Sequence, residues 1–380
     1  MRNDELIKEE FQLDENIIYL NHAAVSPWPK RTTEAVKSFA EENALFGAAN
    51  YPVWLGTEIR LKNQLKRLIN APSSDDIALL KNTSEALSVV ASGIKWRKGD
   101  NIVSSNEEFP SNRLPWLAQA NKGVEFKEIA LNQPDKSPEE ALIKACNEST
   151  RLLTISSVQY GSGKRMDLKK LGDYCNENNI LFCVDAIQSL GALPFDVQEI
   201  YADFVMADAH KWMLGPEGIA LFYCKENVRE QLELHQFGWH MVKDVGNYDS
   251  KDWQISETAQ RFECGSPNML GIHALSASLS LIEEIGIENI SNNIFNNCMY
   301  IIELLNNIEN IQFLSPTEEP HNSGIVTFNI DGTSMPGLYT KLMKNKVICA
   351  NRAGGIRFSP HFYTSKKKID KGLEVLNSII

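Results

Sequence analysis

A chain of 380 residues, 43% of them hydrophobic, carries enough apolar material for a two-domain body with a substantial core. Its net charge of −11, with no basic block, makes nucleic acid and anionic membrane poor partners. Anionic small molecules stay open, because a local pocket can be positive on an acidic protein.

The charged N-terminus, MRNDELIKEEFQLDE, has no apolar signal core. No apolar run approaches the roughly 20 residues of a membrane span. The seven cysteines (146, 175, 183, 224, 264, 298 and 349) are scattered, with no C-x-x-C pair. An odd count without framework spacing points to a reducing cytoplasm. Neither cysteine spacing nor an H-x-x-x-H pair offers a zinc site, so no metal is expected.

From residue 76 strand-like and helix-like periods alternate. DIALLK (76–81) predicts a strand and TSEALSVVASGI (83–94) a helix. NIVSS (101–105), SNRLPWLAQANK (111–122) and VEFKEIA (124–130) read as strand, helix, strand. TRLLTISSVQ (150–159), DLKKLGDYCNENN (167–179) and ILFCVDAI (180–187) repeat that order, and 202–209 and 218–224 add two strands. Strands apolar on both faces, alternating with helices, imply a mostly parallel sheet sandwiched by helices. Ligands of such sheets gather at the carboxyl ends of the strands. Beyond it, helices at 268–286 and about 288–308 precede strand 323–330, helix 335–345, strand 355–360 and a last helix from Ser365. We place the boundary near residue 250: 16–250 as the large domain, and 251–380 with 1–15 as a smaller α+β domain.

Four features fall at strand ends. Thr83, Ser84 and Glu85 open a helix directly after a strand, where hydroxyls and free N–H groups form an anion cradle or simply an N-cap. Asp185 ends an apolar strand and needs a cationic partner or a proton, while Gln188 lies three residues on. Lys211 sits in ADAHKWMLGP after Asp208 and His210. Desolvation would lower its pKa and free the amine to condense with an aldehyde; a snorkelling lysine is the ordinary alternative. Arg352 and Arg357 flank glycines in RAGGIRFSPHFY and suit bidentate capture of a carboxylate, or a surface ion pair. Together the four fit pyridoxal 5'-phosphate (PLP): a cradle for phosphate, an acid for the pyridine nitrogen, a donor for the ring hydroxyl in Gln188, and an amine for the aldehyde.

The stretch VDAIQSLGALPFDV…ADFVMADAHKWMLGPEGIALFY resembles the class V aminotransferase group of fold-type I PLP enzymes, and the likeness runs from IYLNHAAVSP (18–27) to GGIRFSPHFYTSKKKID (354–370). The resemblance implies a seven-stranded, mostly parallel sheet and a Schiff base on Lys211. It implies Asp185 against the pyridinium, Gln188 on the ring oxygen, and Thr83, Ser84 and His210 around the phosphate. Phe109 stands where many relatives stack a histidine, and keeps the surface without the proton. Asp208 stands where desulfurase-like members often have serine. Gln159 and Tyr160 fall where relatives face the cofactor. Ser266 matches a hydroxyl that reaches a neighbouring subunit's cofactor, which implies a homodimer.

That group holds aminotransferases, lyases, epimerases and cysteine desulfurases. Desulfurases carry a mobile cysteine after the first arginine of the C-terminal segment. Here Arg352 is followed by AGGIRFSPHF, without one, and Cys349 lies in an apolar run. The expected activity is therefore amino-group, lyase or epimerase chemistry on a small amino acid, held by Arg357. A cysteine desulfurase or selenocysteine lyase is the alternative, and a non-catalytic binding protein of this fold is a third. No G-x-G-x-x-G follows an early strand, against a dehydrogenase. Loops near Ala23–Ala24, Tyr51–Trp54 and Trp239–His240 would select the substrate.

Overall fold

The computed structural model describes residues 2–380. Met1, first residue of the segment assigned with the smaller domain, lies outside them. Seven strands form the main sheet: β1 (Ile77–Leu80), β2 (Asn101–Ser105), β3 (Glu125–Ile129), β4 (Thr150–Ser156), β5 (Leu181–Asp185), β6 (Phe204–Asp208) and β7 (Ala220–Cys224). Their order is β1-β7-β6-β5-β4-β2-β3. Only β7 runs antiparallel to its neighbours; the other pairs are parallel. Successive side chains enter opposite layers, as a period of two requires. Val184, Val205 and Leu221 join one core, and Cys183, Phe204 and Phe222 the other. Burial on both faces explains the continuous apolar runs of the central strands. The edge strand β3 instead carries exposed Glu125 and Glu128, which suits an edge facing solvent.

A second, antiparallel sheet contains β8 (Ile311–Phe313), β9 (Val326–Ile330), β10 (Ala350–Arg352) and β11 (Gly355–Phe358), in the order β10-β11-β9-β8. Helix Met269–Ile285 packs against two N-terminal helices, Lys30–Phe46 and Tyr51–Leu68. No single helix is long and apolar enough to cross a membrane among the described residues.

The structure differs from the sequence expectation in three places. The loop expected near Tyr51–Trp54 is the first turn of helix Tyr51–Leu68, which follows helix Lys30–Phe46, and neither helix carries a strong apolar stripe. Helix Lys30–Phe46 buries Thr32, and helix Tyr51–Leu68 buries Glu58 and Gln64 beside Trp54, Leu61 and Leu65. Glu58 is held by Lys62, whose ammonium lies 3.4 Å from it and 2.8 Å from Glu263. The helix predicted over 111–122 is a 3₁₀ turn (Pro110–Asn112), one α turn (Leu114–Leu117) and another 3₁₀ stretch (Ala118–Lys122). Pro115 lacks a donor and is tolerated only in a first turn. Asn112 Oδ1 is also committed elsewhere, accepting from Trp116 Nε1 at 2.9 Å and Thr154 Oγ1 at 2.8 Å. Finally, the strand predicted over 150–159 leaves the ladder after Ser156, and Val158 instead bridges Arg165.

Candidate active site

The carboxyl ends of β4, β5 and β6 open into a cavity of about 270 Å³. Asp185, Asp208, His210 and Lys211 form its floor. Ala23, Arg352 and Arg357 close it from the other side. A larger groove of about 680 Å³ lies at the opposite strand ends, near Thr150, Leu181 and Phe204. Its charged groups are Lys95, Arg97, Asp100, Glu148 and Arg151, a mixed solvated rim rather than a buried acid and amine facing one another.

Asp185 is 2% exposed, and its Oδ1 accepts the Ile187 N–H at 3.0 Å. Burial pushes its carboxyl well above the usual carboxylate range, against the pull of Ile187 N–H and of Lys211. Lys211 leaves β6 in a tight loop. Burial lowers its ammonium pKa, Asp185 opposes this, and Arg357 reinforces it. Its Nζ stands 5.9 Å from the centre of the Phe109 ring. The loop is fixed from beneath. Gly191 approaches Trp212 so closely that a Cβ would lie 2.3 Å from its carbonyl oxygen, and φ of +93° suits glycine. Trp212 Nε1 donates to Gln188 Oε1 at 2.8 Å, and Gln188 Nε2 donates to Ala23 O at 3.0 Å. Gln188 thus ties floor to roof and keeps one amide hydrogen for a ligand.

Thr83 and Asp208 form a reciprocal pair. Asp208 Oδ1 accepts the Thr83 N–H at 2.6 Å, and Thr83 Oγ1 accepts the Asp208 N–H at 3.1 Å. Burial raises the Asp208 carboxyl to about 6. His210 Nδ1 is buried without a partner, 3.6 Å from Asp208 Oδ2, and burial lowers the imidazole to about 4. Arg357 is 2% exposed. One Nη donates to Tyr160 O at 2.7 Å, and Nε has no partner. Burial, then nearby Arg352, lowers its pKa to about 10. Arg352 is exposed, and its Nη1 donates to Asn351 O at 2.8 Å. Phe109 is 43% exposed over the cavity, with the Tyr160 ring edge-on at 5.1 Å.

Four predicted residues do not line this cavity within one chain. Gln159 turns to the opposite side of the β4 extension and donates to Glu108 at 2.8 Å, because Ser156, Val158 and Tyr160 take the cavity side. Ser84 pairs with Ser111 at 2.7 Å, and Ser111 is the wall residue. Glu85 accepts the Lys81 N–H at 2.8 Å. Ser266 lines a separate hollow beside Gly218 and Asn268.

The sequence reading missed Glu108, Ser111 and Glu217. Glu108 is 3% exposed, and its oxygens accept from Asn112 Nδ2 and Ser156 N–H, each at 2.8 Å, and from Gln159. It anchors the Phe109 loop to the end of β4. The only signal was two acids before an aromatic in NEEFPSN. Glu217 lines the cavity from the GPEG turn.

A family model described as aminotransferase class V matches residues 18–371. The chain belongs to the class V aminotransferase family. It is a PLP-dependent enzyme of the fold-type I architecture. Over 100% of this chain and 98% of the relative, the class V enzyme is 31% identical to a probable cysteine desulfurase of Methanothermobacter thermautotrophicus. The apo structure of a cysteine desulfurase from Thermococcus onnurineus NA1 matches with a TM-score of 0.88 and 26% identity, covering 99% of this chain and 98% of that one. The cystine C–S lyase C-DES, complexed with its product cysteine persulfide, shares the fold at 23% identity and a TM-score of 0.87, covering 95% and 97%.

The donor set fits PLP. A buried acid whose carboxyl is raised by burial, a desolvated amine and an unpartnered imidazole nitrogen face one cavity, and each would gain a partner from the cofactor's ring nitrogen, aldehyde and phosphate.

Proposed function

We propose that this class V enzyme holds PLP through Lys211, Asp185, Gln188, Thr83 and His210, and acts at Cα of a small amino acid whose carboxylate Arg357 binds. The observation that carries this is convergence: an acid ending β5 and an amine following β6 share a cavity with a buried guanidinium whose Nε is unpartnered. The volume argues for a small substrate, since about 270 Å³ is at or below the roughly 300–1,000 Å³ of ordinary ligand pockets, before any cofactor enters.

When bound, the cofactor supplies an electron sink for the bonds at Cα. The protein supplies the rest. Asp185 receives positive charge that its buried setting otherwise lacks. Arg357, rigid and fork-shaped, fixes the carboxylate and so the direction of the labile bond. Lys211 as free amine takes the Cα proton and returns it, and the pKa that burial lowers to about 8 keeps part of it neutral there. Phe109 covers the cavity with an apolar face that excludes water and carries no proton.

Transamination, or elimination that releases product directly, agrees best with the roof. Cys349 is 1% exposed, does not line the cavity, and burial pushes its thiol up to about 12. The hairpin from Arg352 to Gly355 turns on two residues, Ala353 (φ 51°) and Gly354 (φ 82°), too short to carry a thiol to the cavity. The second reading, a cysteine desulfurase, is favoured by the names of the relatives. The same proposal places the enzyme in the cytoplasm, divided near residue 250. It is a homodimer in which Ser266 reaches the partner's cofactor; exposed Leu45, Phe46, Val53 and Ile59 supply apolar area for such a contact.

Cysteine offered to the holoenzyme separates the two readings. Alkylation and peptide mass analysis are expected to find no persulfide on any of the seven cysteines, and Cys349→Ser should keep its turnover. A stoichiometric persulfide at Cys349 would establish the desulfurase instead.

A further inference from the structure

Asp208 occupies the place where a helix start would otherwise meet an anion. Its Oδ1 accepts the first N–H of helix Thr83–Gly93 at 2.6 Å, and Thr83 Oγ1 closes the ring by accepting the Asp208 N–H at 3.1 Å. The positive end of the helix is therefore already answered by a carboxylate. A second acid, Glu217, faces the same cavity. The groups around Asp208 come from several elements. His210 Nδ1 lies 3.6 Å from Oδ2, on an imidazole that burial keeps neutral. Lys211 follows on the same loop, Asp185 ends the adjacent strand, and Arg352 and Arg357 face the cavity from the roof. Glu85, third in the helix, is held by Lys81.

A phosphate dianion brought to this start meets an ionised acid in a partly buried cavity, where like charges raise one another's pKa. A protonated Asp208 resolves the conflict. Its carbonyl oxygen keeps the Thr83 N–H, and its O–H becomes a donor to the anion.

Resting on the PLP site proposed above, we propose that Asp208 is a proton-linked latch on the cofactor's phosphate. Ionised, it holds the helix start itself, and the phosphate enters with uptake of one proton from solvent. The proton stays on the Asp208 carboxyl, and no other bond is made or broken. Cofactor affinity then falls about tenfold per pH unit above the Asp208 titration, beyond whatever the amine and the phosphate contribute themselves. Burial already lifts the free carboxyl to about 6, so at pH 7.5 the latch is charged before the cofactor arrives.

The test is calorimetric titration of the full-length chain, freed of cofactor, with PLP at pH 7.5 in buffers of differing ionisation enthalpy. The wild type should take up about one more proton per bound PLP than Asp208→Asn. Asp208→Ser, whose hydroxyl can still serve Thr83, should also lose that proton and bind PLP more tightly than wild type at pH 8. Pyridoxal, which lacks the phosphate, should give equal proton counts in all three. Borohydride reduction and peptide mapping separate the two levels. A PLP adduct on Lys211 with equal proton counts overturns the latch alone, and an adduct elsewhere overturns both latch and site.

Discussion

The floor and the roof of the cavity are built by different means. On the floor, Asp185 and Asp208 close adjacent strands whose register is fixed by buried neighbours on both faces, and Lys211 follows three residues later. On the roof, Arg352 and Arg357 stand on a four-stranded antiparallel sheet, and the cavity edge depends on one two-residue turn. A floor locked into the main sheet can hold a cofactor in one pose. A roof made of a hairpin can be lengthened, shortened or given a thiol without touching the floor.

The predictions strike the floor hardest. Lys211→Ala should lower turnover by about 10²–10⁴-fold and remove the visible absorbance of bound cofactor; unchanged turnover would show that the floor lysine moves no proton. Asp185→Asn should cost roughly 10²–10³-fold in kcat, with little change in KM, because it removes only charge stabilisation. On the roof, Arg357→Ala should raise KM for amino acids by about 2–4 kcal/mol equivalent, roughly 30- to 1,000-fold, leaving cofactor absorbance intact. A normal KM would move the carboxylate site elsewhere.

Smaller effects sharpen the contrast. The Asp208 carboxyl is raised in the folded protein, so the folded state binds more protons than the unfolded chain and loses stability as pH rises. In the cofactor-free protein, Asp208→Asn should therefore gain stability over wild type. The gain should build between about pH 4 and about pH 6 to roughly 1–3 kcal/mol and stay level above, as followed by thermal melts. A gain that instead grew towards acid pH would reverse the assigned sign. Phe109→Leu should weaken cofactor binding by about 0.5–1.5 kcal/mol, measured by equilibrium dialysis.

The floor was largely legible in the sequence and the roof much less so. Asp185 and Lys211 stand out because a polar residue ending or following an apolar strand has few other uses, and the strands themselves are marked by two-sided burial. Gln159 was misplaced because the strand's period continues past its last ladder bond and sends alternate side chains away from the cavity. Glu108 went unseen because its five donors come from β2, the Phe109 loop and the end of β4, which only the fold brings together. Ser84, Glu85 and Ser266 share short motifs with wall residues but face other hollows in the single chain. Helices Lys30–Phe46 and Tyr51–Leu68 escaped notice because their partner is another helix and their buried faces include Thr32, Glu58 and Gln64.

The most direct measurement is borohydride reduction of the PLP-loaded protein, followed by peptide mass mapping. One phosphopyridoxyl group per chain on Lys211, absent from Lys211→Ala, is the predicted result. Modification spread over surface lysines, with Lys211 unlabelled, would contradict a cofactor site at the ends of β5 and β6.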